Sequence, residues 1–214
     1  MRKYILIILV FLLIFLYLNI DTKATRVEKT VEENIILFGA SSIVLKNVTG
    51  QIHIFSWNKQ KIKIIAVKSV SKWGISYPEK FLDKIKINLF KSPDSVRIYT
   101  KYPLFHWHKN ARVDYRLWIP EDSTINLESI YGDIHILAAL SSITARTDSG
   151  DIFLYLTENV SCCLDVNSVS GEIYNDFSTI TGTVEKRRIQ GKISQGKDNI
   201  EIKTNSGNIS LSKL

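Results

Sequence analysis

The chain is poor in the residues that build most catalytic and metal sites. Among 214 residues there are two cysteines, four histidines and one methionine. The cysteines are neighbours, Cys162 and Cys163 in VSCCLDV. Adjacent strand residues point to opposite faces, so the pair cannot bond to each other without strain and reads as one small core residue and one exposed thiol. A structural zinc site needs four convergent ligands, which two adjacent cysteines without a nearby histidine do not supply. No G-x-S-x-G elbow occurs among the many serines. The nine-residue calcium repeat with paired glycines is also missing. No aromatic-interleaved basic stretch points to nucleic acid. These absences predict no catalytic residues, no metal and no cofactor.

Helical patterning is equally scarce. Past the first twenty residues no sustained i, i+3, i+4 spacing occurs, and only YPEKFLDKI (77–85), opening with Pro78, is compatible with one or two helical turns. The first twenty residues differ. After MRK comes YILIILVFLLIFLYLNI (Tyr4–Ile20), in which only Asn19 is strongly polar. A helix of that length reaches roughly 25 Å, close to a bilayer's hydrocarbon thickness. Its exit, NIDTKAT, matches a signal-peptidase site poorly and has no cysteine to take a lipid. An uncleaved signal anchor is therefore expected over 1–20. Arg2 and Lys3 precede the span, which predicts a cytoplasmic N-terminus and an extracytoplasmic remainder.

The formal charge is +7. Without Arg2 and Lys3 the remainder has 26 basic against 21 acidic residues, or +5, a mildly basic surface suited to anionic envelope polymers, lipid headgroups or membrane-protein partners.

What the chain does have is a repeat. SIYGDIHIL (129–137), TDSGDIFLYL (147–156), SVSGEIYND (168–176), RIQGKISQ (188–195) and TNSGNISLS (204–212) share a Gly, polar, Ile core, and NVTGQIHIF (47–55) is an upstream copy. The downstream glycines Gly132, Gly150, Gly171, Gly191 and Gly207 are spaced by 18, 21, 20 and 16 residues. Self-similarity near twenty residues indicates a solenoid whose coils cannot bury their apolar faces alone. Before the glycine, residues alternate (Ile125 and Leu127, Ile143 and Ala145, Leu164 and Val166, Ile200 and Ile202), and after it they alternate in a shifted phase (Ile134, Ile152, Ile173, Ile193, Ile209). If both strands face one interior, the chain turns a corner at each of Gly50, Gly132, Gly150, Gly171, Gly191 and Gly207. Ser149, Ser170 and Ser206 would fit a crowded corner, and the varied residues after glycine, such as Asp133, Asp151 and Glu172, would face solvent. One coil, STITGTVEKRRIQGKIS (178–194), loses clean alternation and carries Lys186, Arg187 and Arg188.

Two groups invite chemistry. Asp133 and Asp151 on adjacent coils would sit about 4.8 Å apart, close enough for the paired carboxylates of a glycosidase or for a calcium ligand set, but the ladder continues through Glu172 to Lys192. His53 and His135 occupy equivalent repeat positions and are expected to point outward. His106 and His108 flank Trp107 after Phe105, and the four make a candidate contact patch on a loop tip.

Three stretches resemble the LiaG-like adhesin family of envelope proteins: NVTGQIHIFSWNKQKIKIIAVK (47–68), VDYRLWIPEDSTINLESIYGDIHI (113–136), and the Ser-Gly-Asp coils that follow. The resemblance spans about 35–214. It implies a β-solenoid similar to a right-handed β-helix and no catalytic residues. The expectation is thus an all-β, single-domain solenoid over 35–214, with coils of about 16–21 residues, joined by a linker (21–34) to a transmembrane anchor (1–20). Its expected role is non-catalytic: binding, adhesion, or envelope scaffolding or accessory sensing. The competing roles are a scaffold that polymerises through an uncapped last coil and a carbohydrate-active enzyme.

Overall fold

The computed structural model describes residues 26–37, 41–71, 76–103, 111–121 and 123–214. The expected anchor at 1–20 and the Phe105–His108 patch lie outside the described residues. Among the described residues no helix is long and apolar enough to cross a membrane.

The chain begins with β1 (Arg26–Ile36), β2 (Ser42–Lys46), β3 (Ile52–Trp57) and β4 (Lys61–Ser71), followed by a short helix, α1 (Pro78–Lys84). Next come β5 (Lys86–Lys91), β6 (Ser95–Lys101), β7 (Ala111–Pro120), β8 (Thr124–Tyr131), β9 (Ile134–Leu137), β10 (Ser142–Ser149) and β11 (Ile152–Leu156). The last third holds β12 (Cys162–Ser168), β13 (Ile173–Asn175), β14 (Thr181–Val184), β15 (Arg188–Ile193), β16 (Asp198–Ser206) and β17 (Ile209–Lys213). An eight-stranded sheet runs β1-β4-β7-β3-β9-β11-β17-β13, and a nine-stranded sheet runs β14-β15-β12-β16-β10-β8-β2-β6-β5.

Each of the five coils with a corner glycine gives one strand to each sheet, and coils that are neighbours in the stack pair in parallel. Ile52, Ile134, Ile152, Ile209 and Ile173 are in register on the eight-stranded sheet. Ile43, Ile125, Ile143, Ile200 and Leu164 are in register on the other. Apart from the half-buried Ile173, all of them are buried. Period-two alternation followed by a phase slip at glycine thus produces one shared apolar interior.

The order of the coils departs from chain order. From one end, the coils are β6–β7, β2–β3, β8–β9, β10–β11, β16–β17 and β12–β13. The coil at 198–213 is therefore an interior one, pairing with β10 and β12 on one sheet and with β11 and β13 on the other. Ile209, expected on a terminal strand, is fully buried. This removes the basis for polymerisation through an uncapped last coil. Every coil repeats the same apolar alternation, so periodicity cannot distinguish one stacking order from another.

Gly191 is the second correction. It lies within β15, which pairs antiparallel with β12 (Leu164↔Gly191) and with β14 (Gly182↔Gly191). The stretch that loses clean alternation is thus a hairpin laid over the outer edge of β12, not a corner. At the other end β4 and β5 run antiparallel to β7 and β6, and β1 pairs with β4 along its whole length. Residues 26–34, expected as linker, belong to β1. It shows no clean alternation because an edge strand carries charge on both sides, as Arg26, Glu28, Lys29, Glu32 and Glu33 do. Helix α1, with Pro78 in its first turn, buries Phe81 and Leu82, and the buried Lys68 donates to the carbonyl of Ile85 at 2.7 Å.

Candidate functional site

The polar groups at the corners are engaged in holding the fold. The five corner glycines form one column. A methyl group at Gly132 would overlap the carbonyl of Gly50, and the same holds for Gly150 over Gly132, Gly207 over Gly150 and Gly171 over Gly207. Three residues before each glycine stands a buried polar side chain: Asn47, Ser129, Thr147, Ser168 or Thr204. In four coils it donates to the carbonyl beneath the column. Asn47 Nδ2 reaches Val113 at 2.9 Å, Thr147 reaches Gly132 at 3.4 Å, Thr204 reaches Gly150 at 3.1 Å and Ser168 reaches Gly207 at 2.8 Å. The sequence carries this signal as a run of Asn, Ser and Thr three residues before glycine, not in the serines beside it. Ser149, Ser170 and Ser206 are in fact exposed.

The residue after each glycine is also engaged. The amide of Asp151 donates to Asp133 Oδ1 at 2.9 Å, the amide of Asn208 to Asp151 Oδ1 at 2.7 Å, and the amide of Glu172 to Asn208 Oδ1 at 3.0 Å. These side chains are half-buried rather than free in solvent. Asp133 and Asp151 therefore tie coil to coil through backbone amides. Cys162 is buried, which pushes its thiol up to about 11, and Cys163 is half-buried with its sulfur 3.4 Å from the Gly196 carbonyl.

The two outer sheet surfaces differ sharply. On the nine-stranded sheet charges neutralise one another: Lys46 with Glu128 at 2.7 Å, Arg146 with Glu201 at 2.6 Å, and Lys203 with Glu201 at 2.7 Å and Asp165 at 3.6 Å. Hydrogen bonds from Lys203 and Arg146 hold the Glu201 carboxyl below its usual range. On the eight-stranded sheet the outward positions lie three and five residues after the corner glycine. The first row reads Arg116, His53, His135, Phe153, Ser210 and Tyr174 in register, and the second reads Trp118, Phe55, Leu137, Tyr155 and Ser212.

Rings in these rows stack. His53 and His135 lie 4.5 Å apart and parallel within 3°, and His135 and Phe153 lie 4.6 Å apart within 9°. Phe55 and Trp118 stack at 5.3 Å. Cations flank them. The ammonium groups of Lys59 and Lys61 sit 5.0 and 5.6 Å from the Trp57 ring, and that of Lys63 sits 5.8 Å from Trp118. Such a contiguous aromatic surface marks an interaction site more often than a merely solvated face. His53 and His135 do face outward, but as half-buried members of a stack. The missed signal lies in QIHIFSW, DIHIL and DIFLYL, whose outward positions carry rings where a solvated strand carries charge.

The stack is sensitive to acid. Burial lowers both imidazoles from 6.5; His135 and Arg116 lower His53 further, against the raising effect of Asp114 and Asp133, and Asp133 opposes burial at His135. In the unfolded chain both would protonate near 6.5, while the stacked rings resist. Stability should therefore be full above that pH and decline as pH falls below it. Urea unfolding at pH 7.5 and pH 5.5 measures the loss, and His135→Phe, which copies the Phe153 position, should reduce it.

The family model described as Toastrack DUF4097 matches residues 34–212. No curated protein matches the chain. Among solved structures, a candidate cell adhesion protein from Clostridium sporogenes superposes with a TM-score of 0.56 at 13% identity, covering 88% of this chain and 100% of that one, a likeness of fold alone. A candidate adhesin from Bacteroides fragilis matches at a TM-score of 0.24 and 8% identity, covering 87% of this chain and 97% of that one, too distant to bear on the fold. With a family match across nearly all of its strands, the chain belongs to the Toastrack DUF4097 family.

Proposed function

We propose that this chain is a non-catalytic binding module of the cell envelope, a β-solenoid held outside the membrane by its N-terminal segment, and that it binds through the outer face of the eight-stranded sheet. The apolar run Tyr4–Ile20, with Arg2 and Lys3 before it, supports the anchor and its orientation. The narrower LiaG-like kinship, carried by 47–68 and 113–136, belongs to the same reading. The observation that carries the binding role is the run of stacked rings beside basic side chains on the outer face of the eight-stranded sheet.

The coil at β17 supplies its own test, because Ser210 and Ser212 already stand where β11 has Phe153 and Tyr155. The double variant Phe153→Ser, Tyr155→Ser copies a native arrangement and should leave thermal unfolding within a few degrees of wild type. Its retention on an insoluble envelope fraction should fall at least about tenfold, the scale of one or two lost aromatic contacts. Arg146→Ala on the opposite sheet should leave retention unchanged. Undiminished retention by the double variant would refute the assignment of the face.

A further inference from the structure

The ring stack on the eight-stranded sheet has a gap one strand wide. His53, His135 and Phe153 stack at 4.5 and 4.6 Å, but the next residue in the row is Ser210, and beyond it stands Tyr174, which is 55% exposed. The second row reaches Ser212 at the same strand, and the two serine hydroxyls lie 3.2 Å apart. Phe153 and Tyr174 are thus the two walls of a slot floored by hydroxyl groups. Two strand spacings put those walls about 9.6 Å apart.

The floor of the slot discriminates between occupants. Stacked rings on this face lie 4.5 and 4.6 Å apart, so the width takes one ring between Phe153 and Tyr174. A sugar ring combines apolar C–H faces for the walls with hydroxyls for the serine floor. Its C–H faces would lie against Phe153 and Tyr174, and its hydroxyls would reach Ser210 and Ser212.

The surroundings add charge. Ring stacking covers the faces of His53 and His135 and turns their edges outward, and ring edges carry partial positive charge that suits oxygen ligands. Around the rows Lys63 is paired with Glu32 at 2.9 Å and Arg112 with Asp114 at 2.9 Å. Arg116, Lys59 and Lys61 have no ion-pair partner among the described residues, and Arg116 is exposed at the head of the histidine row. From β7 to β17 is four strand spacings, about 19 Å, room for several sugar units. Resting on the binding face assigned above, we infer that the ligand is an acidic polysaccharide laid across the strands, with one sugar ring between Phe153 and Tyr174 and its acidic groups toward Arg116, Lys59 and Lys61.

Polygalacturonate serves as the probe, with the full chain in detergent and calorimetry as the readout. The chain should bind polygalacturonate, and dextran only weakly. Ser210→Phe completes the stack, so it should keep or raise the unfolding temperature while weakening polygalacturonate at least tenfold. Arg116→Gln should flatten the salt dependence of binding without touching the slot. Failure to bind polygalacturonate, unchanged affinity in Ser210→Phe, or equal binding to polyphosphate or phosphatidylglycerol vesicles would each overturn the inference. If the Phe153→Ser, Tyr155→Ser variant still loses envelope retention in that case, the face stands and only its ligand class is wrong.

Discussion

Replacing Gly132 with alanine should cost at least about 3 kcal/mol, a large part of the roughly 5–15 kcal/mol that holds a domain of this size together. Gly132 has φ +143°, where a side chain is strained, and an added methyl would run into the Gly50 carbonyl of the neighbouring coil. The obstacle is backbone, so no rotamer change relieves it. Relief requires the coils to part, and that stretches the bonds from the Gly50 amide to the Tyr131 carbonyl at 2.9 Å and from the Tyr131 amide to the Val48 carbonyl at 2.8 Å. The exposed Ser149→Ala, one residue from the column, should change stability by less than about 0.5 kcal/mol. Urea unfolding of both variants gives the comparison. A Gly132→Ala protein within 1 kcal/mol of wild type would mean that the glycine column does not set the coil spacing.

Deleting residues 198–214 should abolish cooperative folding. In a solenoid stacked in chain order, losing the final coil shortens the array and leaves the rest standing. Here the deletion removes Ile200, Ile202, Ile209 and Leu211 from the interior, all buried, takes one of two partners from each of β10, β11 and β12, and takes β17 from β13. It also leaves the Gly171 corner without the Gly207 carbonyl on which it rests. Circular dichroism and denaturant titration of residues 1–197 should show a broad, low-amplitude transition. A sharp transition near the wild-type midpoint would place the coil outside the cooperative unit.

The sequence revealed this fold unevenly, for physical reasons. Alternation and the phase slip at glycine are local properties, so the strands, the interior column of isoleucines and five of the six corners were legible, as was the helix opened by Pro78. Gly191 was misread because its flanking residues, Gln190 and Lys192, follow the repeat pattern while their partners in β12 and β14 run antiparallel. Pairing direction is a non-local property that a single strand's pattern does not record. The same limit hid the position of β16 and β17. The aromatic face was visible residue by residue, yet its character emerges only when His53, His135 and Phe153 come into register from segments as far as a hundred residues apart.

The inserted coil also orders events during biogenesis. Strands β10 and β12 are synthesised before the segment that separates them, so neither can reach its final neighbour until residues 198–213 exist. Up to that moment the middle of the stack has no finished surface on which to close. The pairings of β10 and β11 with β16 and β17, and of those with β12 and β13, therefore form last, across long stretches of chain whose closure entropy must be met first.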